Sequence, residues 1–299
     1  MPRGCKICYR GNDRVEASYL ESITIERVIF IQVYGILGNP LEHSLSPLLQ
    51  NETYKENNIQ ASFQKFEVED DGLKNFMMQL KSSREGGLIV TIPYKEKVLP
   101  YIDELDLTAK NTGVVNIIQA VNGKLIGYNF DGQAWLAGLL QEFSLSNLNG
   151  LKILLIGFGG VAKSIYFELL QFEDVEIDIT NRTVNKVKNT IDMPNVRVLS
   201  YEEAEQQTVK YDIIIQTTPI GMWPHTDAMP LNIVQLKENA IVSDVIYNPQ
   251  YTAFLKQAKN LGARIQNGMT MLVMQNHKAI KMWFQKDVNY KQMENLTRK

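Results

Sequence analysis

The feature that most constrains the fold of this 299-residue chain is the apolar run Leu151-Lys152-Ile153-Leu154-Leu155-Ile156 leading straight into Gly157-Phe158-Gly159-Gly160-Val161-Ala162. A nearly continuous apolar run of strand length belongs inside a sheet covered on both faces. The glycines let the backbone turn tightly, and the helix that follows, to about Gln171, offers free amides and the positive end of its dipole to a pyrophosphate. Placed between strand and helix, the spacing Gly157-x-Gly159-x-x-Ala162 predicts a dinucleotide site in preference to a merely tight turn.

Further strands follow at Val175–Thr180, Tyr211–Gln216 and Ala240–Val245, and one more near Arg264. The end of the second strand selects the cofactor. An acid there would hydrogen-bond the adenosine ribose of NAD, whereas Asn181-Arg182-Thr183 with Lys186 forms a cationic, hydrogen-bonding cup suited to the extra phosphate of NADP. Asp178 lies inside the strand, three residues before Asn181, and is not assigned the ribose.

The first half also alternates strands and helices. A strand over Arg27–Ile36 is closed by the turn Gly38-Asn39-Pro40. Ser46 before Pro47 reads as the cap of a helix. A strand at Ala61–Val68, a helix at Asp71–Ser82, a strand over Gly87–Val90 and a helix near Leu105–Asn111 follow. The expected fold is α/β in two domains: a three-layer substrate domain with a mainly parallel sheet, and a Rossmann-type NADP domain. Residues 27–132, completed by helices at 271–299, should form the first, residues 133–270 the second, and 1–26 an N-terminal extension.

Thirty-one basic residues against 33 acidic ones give no field that would attract nucleic acid or an anionic membrane. With no long apolar span and no signal-peptide pattern at the N-terminus, a soluble, cytoplasmic protein acting on a small molecule is expected; its state is expected to be monomer or homodimer, a choice that the sequence leaves open. Cys5 and Cys8 stand alone without the partners of a zinc site, so no metal is expected.

The segment Thr91-Ile92-Pro93-Tyr94-Lys95 places a hydroxyl and an ammonium at a bend after an apolar strand, where open α/β sheets form ligand crevices. A lysine there can serve as acid or base. His43-Ser44-Leu45-Ser46-Pro47 sets two hydroxyls at a helix entrance, a place that favours a carboxylate. Asn129-Phe130-Asp131-Gly132 adds a carboxylate beside a turn glycine.

The order of these motifs, together with Gly113-Val114-Val115-Asn116, Thr217-Thr218-Pro219-Ile220-Gly221-Met222, Asp244-Val245-Ile246-Tyr247-Asn248-Pro249 and Gly268 to Gln275, resembles the shikimate dehydrogenase family over about residues 33–285. The resemblance implies reversible NADPH-dependent reduction of 3-dehydroshikimate in aromatic amino-acid biosynthesis. Lys95 would be proton donor and acceptor with Asp131. Ser44, Ser46 and Tyr247 would hold the substrate carboxylate, and Thr91, Asn116, Asp131 and Gln275 would meet the ring hydroxyls. Gly157, Phe158, Gly159, Gly160 and Val161, with Asn181, Arg182, Thr183, Lys186, Val245 and Gly268, would hold NADP. Two alternatives stay open: relaxed choice between shikimate and quinate, and a non-catalytic NADP-binding regulator of the same fold. The chain departs from the family pattern with apolar Ile89, Ile117 and Phe130, with Phe158 in the glycine loop, and with Gln50 where histidine is common.

Overall fold

Two six-stranded sheets arise from the two runs of alternating strands and helices in the computed structural model, which describes residues 32–83, 85–188 and 196–298. Cys5 and Cys8 and the start of the first expected strand lie outside the described residues, as does the side chain of Lys186. In the first half the elements are β1 (Val33–Gly38), α1 (Ser46–Glu56), β2 (Phe63–Glu67), α2 (Leu73–Ser82), β3 (Glu85–Val90), β4 (Glu104–Leu105), α3 (Leu107–Thr112), β5 (Ile117–Val121) and β6 (Lys124–Tyr128). Then come α4 (Asp131–Phe143), β7 (Lys152–Ile156), α5 (Gly160–Leu169), β8 (Glu176–Thr180), α6 (Val184–Lys188), β9 (Val196–Leu199), α7 (Tyr201–Glu205), β10 (Ile213–Gln216), β11 (Ile241–Asp244), α8 (Ala253–Asn260), β12 (Arg264–Gln266), α9 (Met269–Phe284) and α10 (Tyr290–Leu296).

The second sheet is parallel throughout, in the order β9-β8-β7-β10-β11-β12. Strand order reverses between β7 and β10, and the crevice beyond their carboxyl ends is where a doubly wound sheet takes its ligand. Gly157 and Thr217 follow these two strands directly. Alternate residues of β7 face opposite layers: Ile153 and Leu155 pack with α4 and α5, while Leu154 and Ile156 pack with Phe254 and Leu255 of α8.

The first sheet has the order β2-β1-β3-β5-β6-β4 and is mainly parallel, with an antiparallel β5–β6 hairpin set into it. The hairpin turns at Asn122 and Gly123, both at positive φ, which is the two-residue turn that asparagine-glycine prefers. On one face of β1 and β3, Leu37, Leu88 and Val90 are buried with Met77 and Leu80 of α2. On the other face Tyr34, Ile36 and Ile89 receive α9, whose Trp283 indole lies where a Cβ on Gly87 would come within 2.2 Å of it. The indole nitrogen donates to the Ile118 carbonyl at 3.1 Å. A C-terminal helix is thereby anchored to the N-terminal sheet. Among the described residues no helix is long and apolar enough to cross a membrane.

Candidate active site

The site begins where β3 ends. Thr91 N–H donates to the Leu37 carbonyl, so the chain stays pinned to β1 for one residue beyond the strand. The loop then doubles back through Tyr94, which is fully buried, and Val115 N–H donates to the Lys95 carbonyl at 2.8 Å. With its backbone held on both sides, Lys95 sends its Nζ to within 2.5 Å of Asp131 Oδ2. Asp131 is the first residue of α4 and is wholly buried, while the lysine side chain is 13% exposed.

The other carboxylate oxygen, Oδ1, accepts from Asn116 Nδ2 at 2.8 Å and from Gln275 Nε2 at 2.5 Å. The Asn116 side-chain carbonyl oxygen accepts from Phe130 N–H at 2.9 Å, which fixes the amide's orientation. Residues from the loop after β3, the entry to β5, the start of α4 and the middle of α9 thus converge on one carboxylate. A buried charge with three donors is stable only as a set, and removing a partner from such a pair costs about 3–5 kcal/mol.

Ser44 and Tyr247 meet at the other end of the expected substrate pocket. Burial raises the Tyr247 phenol pKa above its ordinary value, and the Ser44 hydroxyl and Leu45 backbone that face it only partly offset this. Ser46 is the first residue of α1 and not its cap, because Leu45 occupies the cap position. The Ser46 hydroxyl is fully buried and accepts from Asn276 Nδ2 at 3.3 Å. Proline's preference for the first turn places the helix within one residue, but the cap role moves. Asn276 is not singled out by the sequence; its only signal there is adjacency to Gln275. Gln50 donates to Asn276 Oδ1 at 2.9 Å and to its carbonyl at 3.0 Å, so the glutamine at this position ties α1 to α9.

The departures from the family pattern also find places. Ile89 and Ile117 stand directly opposite each other in the antiparallel β3–β5 pair and are both buried, so two apolar replacements share one contact. Phe130 stacks on Tyr128 with centroids 5.9 Å apart, and Lys278 Nζ lies 4.6 Å from its ring centre. Thr91 packs so closely on Gly38 that a Cβ there would lie 2.5 Å from its methyl group.

On the nucleotide side, Gly157 has φ +95° and its N–H donates to the Thr180 carbonyl. A Cβ on Gly157 would meet the Thr218 methyl at 2.7 Å. Gly159 caps α5 without any side-chain bond, and the space where its Cβ would stand is open to 4 Å. Free first-turn amides beside open space fit a pyrophosphate. Phe158 packs edge-on against Tyr166 of the same helix, and Val161 is partly buried in the core beneath. The Gln216 side chain donates to the carbonyls of Thr218 and Ile220 and accepts from Thr218 N–H, holding the opposite loop; nothing in the sequence pattern marks it.

Arg182 and Thr183 are exposed beyond β8, where Asn181 Nδ2 donates to the Thr183 carbonyl at 3.2 Å. Asp178 is engaged elsewhere: it accepts from Arg197 Nε at 2.9 Å and from the Tyr211 hydroxyl at 2.7 Å. Val245 and Gly268 touch, since a Cβ on Gly268 would fall 2.0 Å from the Val245 carbonyl oxygen.

The two halves meet at the candidate site itself. A Cβ on Gly160 would stand 3.7 Å from Lys95 Cδ, so the first turn of α5 borders the lysine. Nearer the surface, the His43 ring meets Trp223 edge-on at 5.4 Å, and this indole is half exposed. Among the described residues no group of histidine, cysteine or acidic side chains could hold a metal ion.

A doubly wound nucleotide fold whose glycine loop abuts a buried lysine–carboxylate pair on a second sheet defines the class: a two-domain nicotinamide-dependent oxidoreductase. Residues 36–118 match the shikimate dehydrogenase substrate binding domain and residues 139–222 match shikimate / quinate 5-dehydrogenase. A shikimate dehydrogenase (NADP(+)) of Bacillus cereus (strain B4264) is 43% identical over 270 residues, spanning 89% of this chain and 97% of the relative. The crystal structure of shikimate dehydrogenase from Aquifex aeolicus is 30% identical with a TM-score of 0.81, covering 90% of this chain and 98% of that one. Shikimate 5-dehydrogenase from Thermus thermophilus, in complex with NADP(H) and shikimate, is 25% identical with a TM-score of 0.79 over 90% of this chain and 99% of its own. The chain belongs to the shikimate dehydrogenase family.

Proposed function

We propose that this protein catalyses the reversible NADPH-dependent reduction of 3-dehydroshikimate to shikimate, with Lys95 moving the proton and Asp131 holding it in place. The observation that carries the reading is the Lys95–Asp131 ion pair, buried beside the first turn of the nucleotide helix. Ser44, Ser46 and Tyr247 hold the substrate carboxylate, and Thr91, Asn116, Asp131 and Gln275 take the ring hydroxyls. NADP, when bound, supplies or accepts the hydride. Gly157, Phe158, Gly159, Gly160 and Val161 would hold its pyrophosphate, Asn181, Arg182, Thr183 and Lys186 its extra phosphate, and Val245 and Gly268 a wall of its cleft.

In reduction, negative charge develops on the ketone oxygen as its carbon gains hydride, and the Lys95 ammonium stabilises that charge and gives the oxygen its proton. Lys95 ends neutral and Asp131 keeps its donors from Asn116 and Gln275. In oxidation the neutral amine takes the hydroxyl proton back. The chemistry moves one hydride and one proton, and no metal is needed to balance it.

Quinate differs by an extra hydroxyl on the carbon that bears the carboxylate. The room around Ser44, Ser46 and Tyr247 decides between the two acids. The reading divides the chain into a catalytic domain at 27–132 completed by 271–299, an NADP domain at 133–270 and an N-terminal extension at 1–26; Trp283, bonded to β5 and packed on Gly87 of β3, supports the C-terminal return. It carries with it a cytoplasmic location and a monomer or homodimer.

The test is the absorbance of reduced nicotinamide with shikimate or quinate and with NADP or NAD. Shikimate with NADP should give the highest kcat/KM, and tight NADP binding without turnover would overturn the reading in favour of a regulator. Lys95→Ala should lower kcat by about 10²–10⁴-fold while NADP affinity stays within about twofold, because the lysine meets the reacting oxygen and not the pyrophosphate.

A further inference from the structure

Asn129 is fully buried and has no part in the pocket described above, yet both its amide nitrogen and its amide oxygen are engaged. Its Oδ1 accepts from Asp131 N–H at 3.2 Å. Its Nδ2 donates to Thr112 Oγ1 at 2.9 Å and to Ser164 Oγ at 2.6 Å. Ser164, itself fully buried on α5, donates its own proton to the carbonyl of Gly160 at 2.9 Å.

The chain of bonds therefore runs unbroken from the first residue of the nucleotide helix to the backbone of the residue whose carboxylate holds Lys95. Two close contacts remove slack from this link. A Cβ on Gly132, next to Asp131, would fall 2.2 Å from the Ser164 carbonyl oxygen, so the first turn of α4 lies directly on α5. Gly160 also borders the Lys95 side chain. A small displacement of the first turn of α5, where the pyrophosphate settles, is carried to Asp131 because packed elements of this kind do not deform independently.

We propose that Asn129 and Ser164 are positioning residues that couple dinucleotide binding at α5 to the orientation of Asp131, so that an occupied cofactor site tightens the hold on shikimate. The proposal rests on the reading of the 157–161 loop as the cofactor site and of Lys95 and Asp131 as the proton relay. Coupling of this kind is reciprocal: NADPH strengthens shikimate binding by the same factor by which shikimate strengthens NADPH binding.

The experiment titrates the full-length protein calorimetrically with shikimate, alone and with saturating NADPH, a pair that cannot turn over. The wild-type protein should bind shikimate about fivefold or more tightly when NADPH is present. Ser164→Ala should bring that factor close to one while each ligand alone binds within about twofold of wild type, because only the link between the sites is cut. Thr112→Val removes the other partner of the Asn129 amide but leaves the connection to α5, and should keep the wild-type factor. If Ser164→Ala does not fold, Ser164→Cys, which keeps the volume with a weaker donor, reads the same loss. A wild-type factor of one, an unchanged factor in the Ser164 variant, or equal loss in the Thr112 variant overturns the proposal. Each of these leaves wild-type turnover and solo binding intact, whereas failure of the functional reading itself would abolish both.

Discussion

At the scale of single residues, position within a strand decides what a charge can do. Asp178 and Arg182 are four residues apart, yet one is locked between Arg197 and Tyr211 and the other stands exposed beyond the strand end. Arg182→Ala should weaken NADP by about tenfold or more, as expected for loss of a charge-assisted contact, while NAD affinity changes little; fluorescence titration with both nucleotides checks it. Asp178→Asn should lower the melting temperature and leave the NADP-to-NAD ratio as in the wild type. The cluster of Lys95, Asn116, Asp131 and Gln275 is legible from sequence because each sits in a motif with a recognisable order. Asn276, Gln216 and Ser164 are not, because a lone amide or hydroxyl carries no spacing signal, and its partner is up to 230 residues away.

At the scale of elements, most strands and helices are legible from apolar runs and their breakers, and the exceptions have local causes. The β5–β6 hairpin lies outside the strands expected from sequence, although Asn122-Gly123 between two β-rich runs is a strong turn signal. The short β4 has only two residues and no period to detect. Glycines separate by the element they serve. Gly268→Ala should cost about 3 kcal/mol or more in denaturant unfolding, since its Cβ would collide with a backbone carbonyl. Gly159→Ala meets nothing in the protein, so it should leave stability within about 0.5 kcal/mol yet weaken NADP, as the pyrophosphate site proposed at this loop requires.

At the scale of the whole molecule, stability should carry the mark of one buried acid. Asp244, at the end of β11, accepts from Ile246 N–H and the Thr252 hydroxyl, but burial outweighs these bonds and pushes its pKa up to about 7. A carboxyl with its folded pKa raised binds its proton more tightly in the native state. Its contribution to stability is therefore fully present below the unfolded value near pH 4 and is lost as pH rises to about 7. Melting curves of wild type and Asp244→Asn across this window should differ in slope, the wild type losing ground to the variant as pH rises; parallel curves would remove the argument. The edge-on meeting of His43 and Trp223 has a different consequence. Of the three indoles, Trp135 and Trp283 are buried and Trp223 alone is half exposed, at a junction between the two halves. The protein thus contains its own optical gauge: light emitted from the solvent-facing indole is open to iodide quenching, and any closure that shields it shifts the colour toward the blue without a label attached.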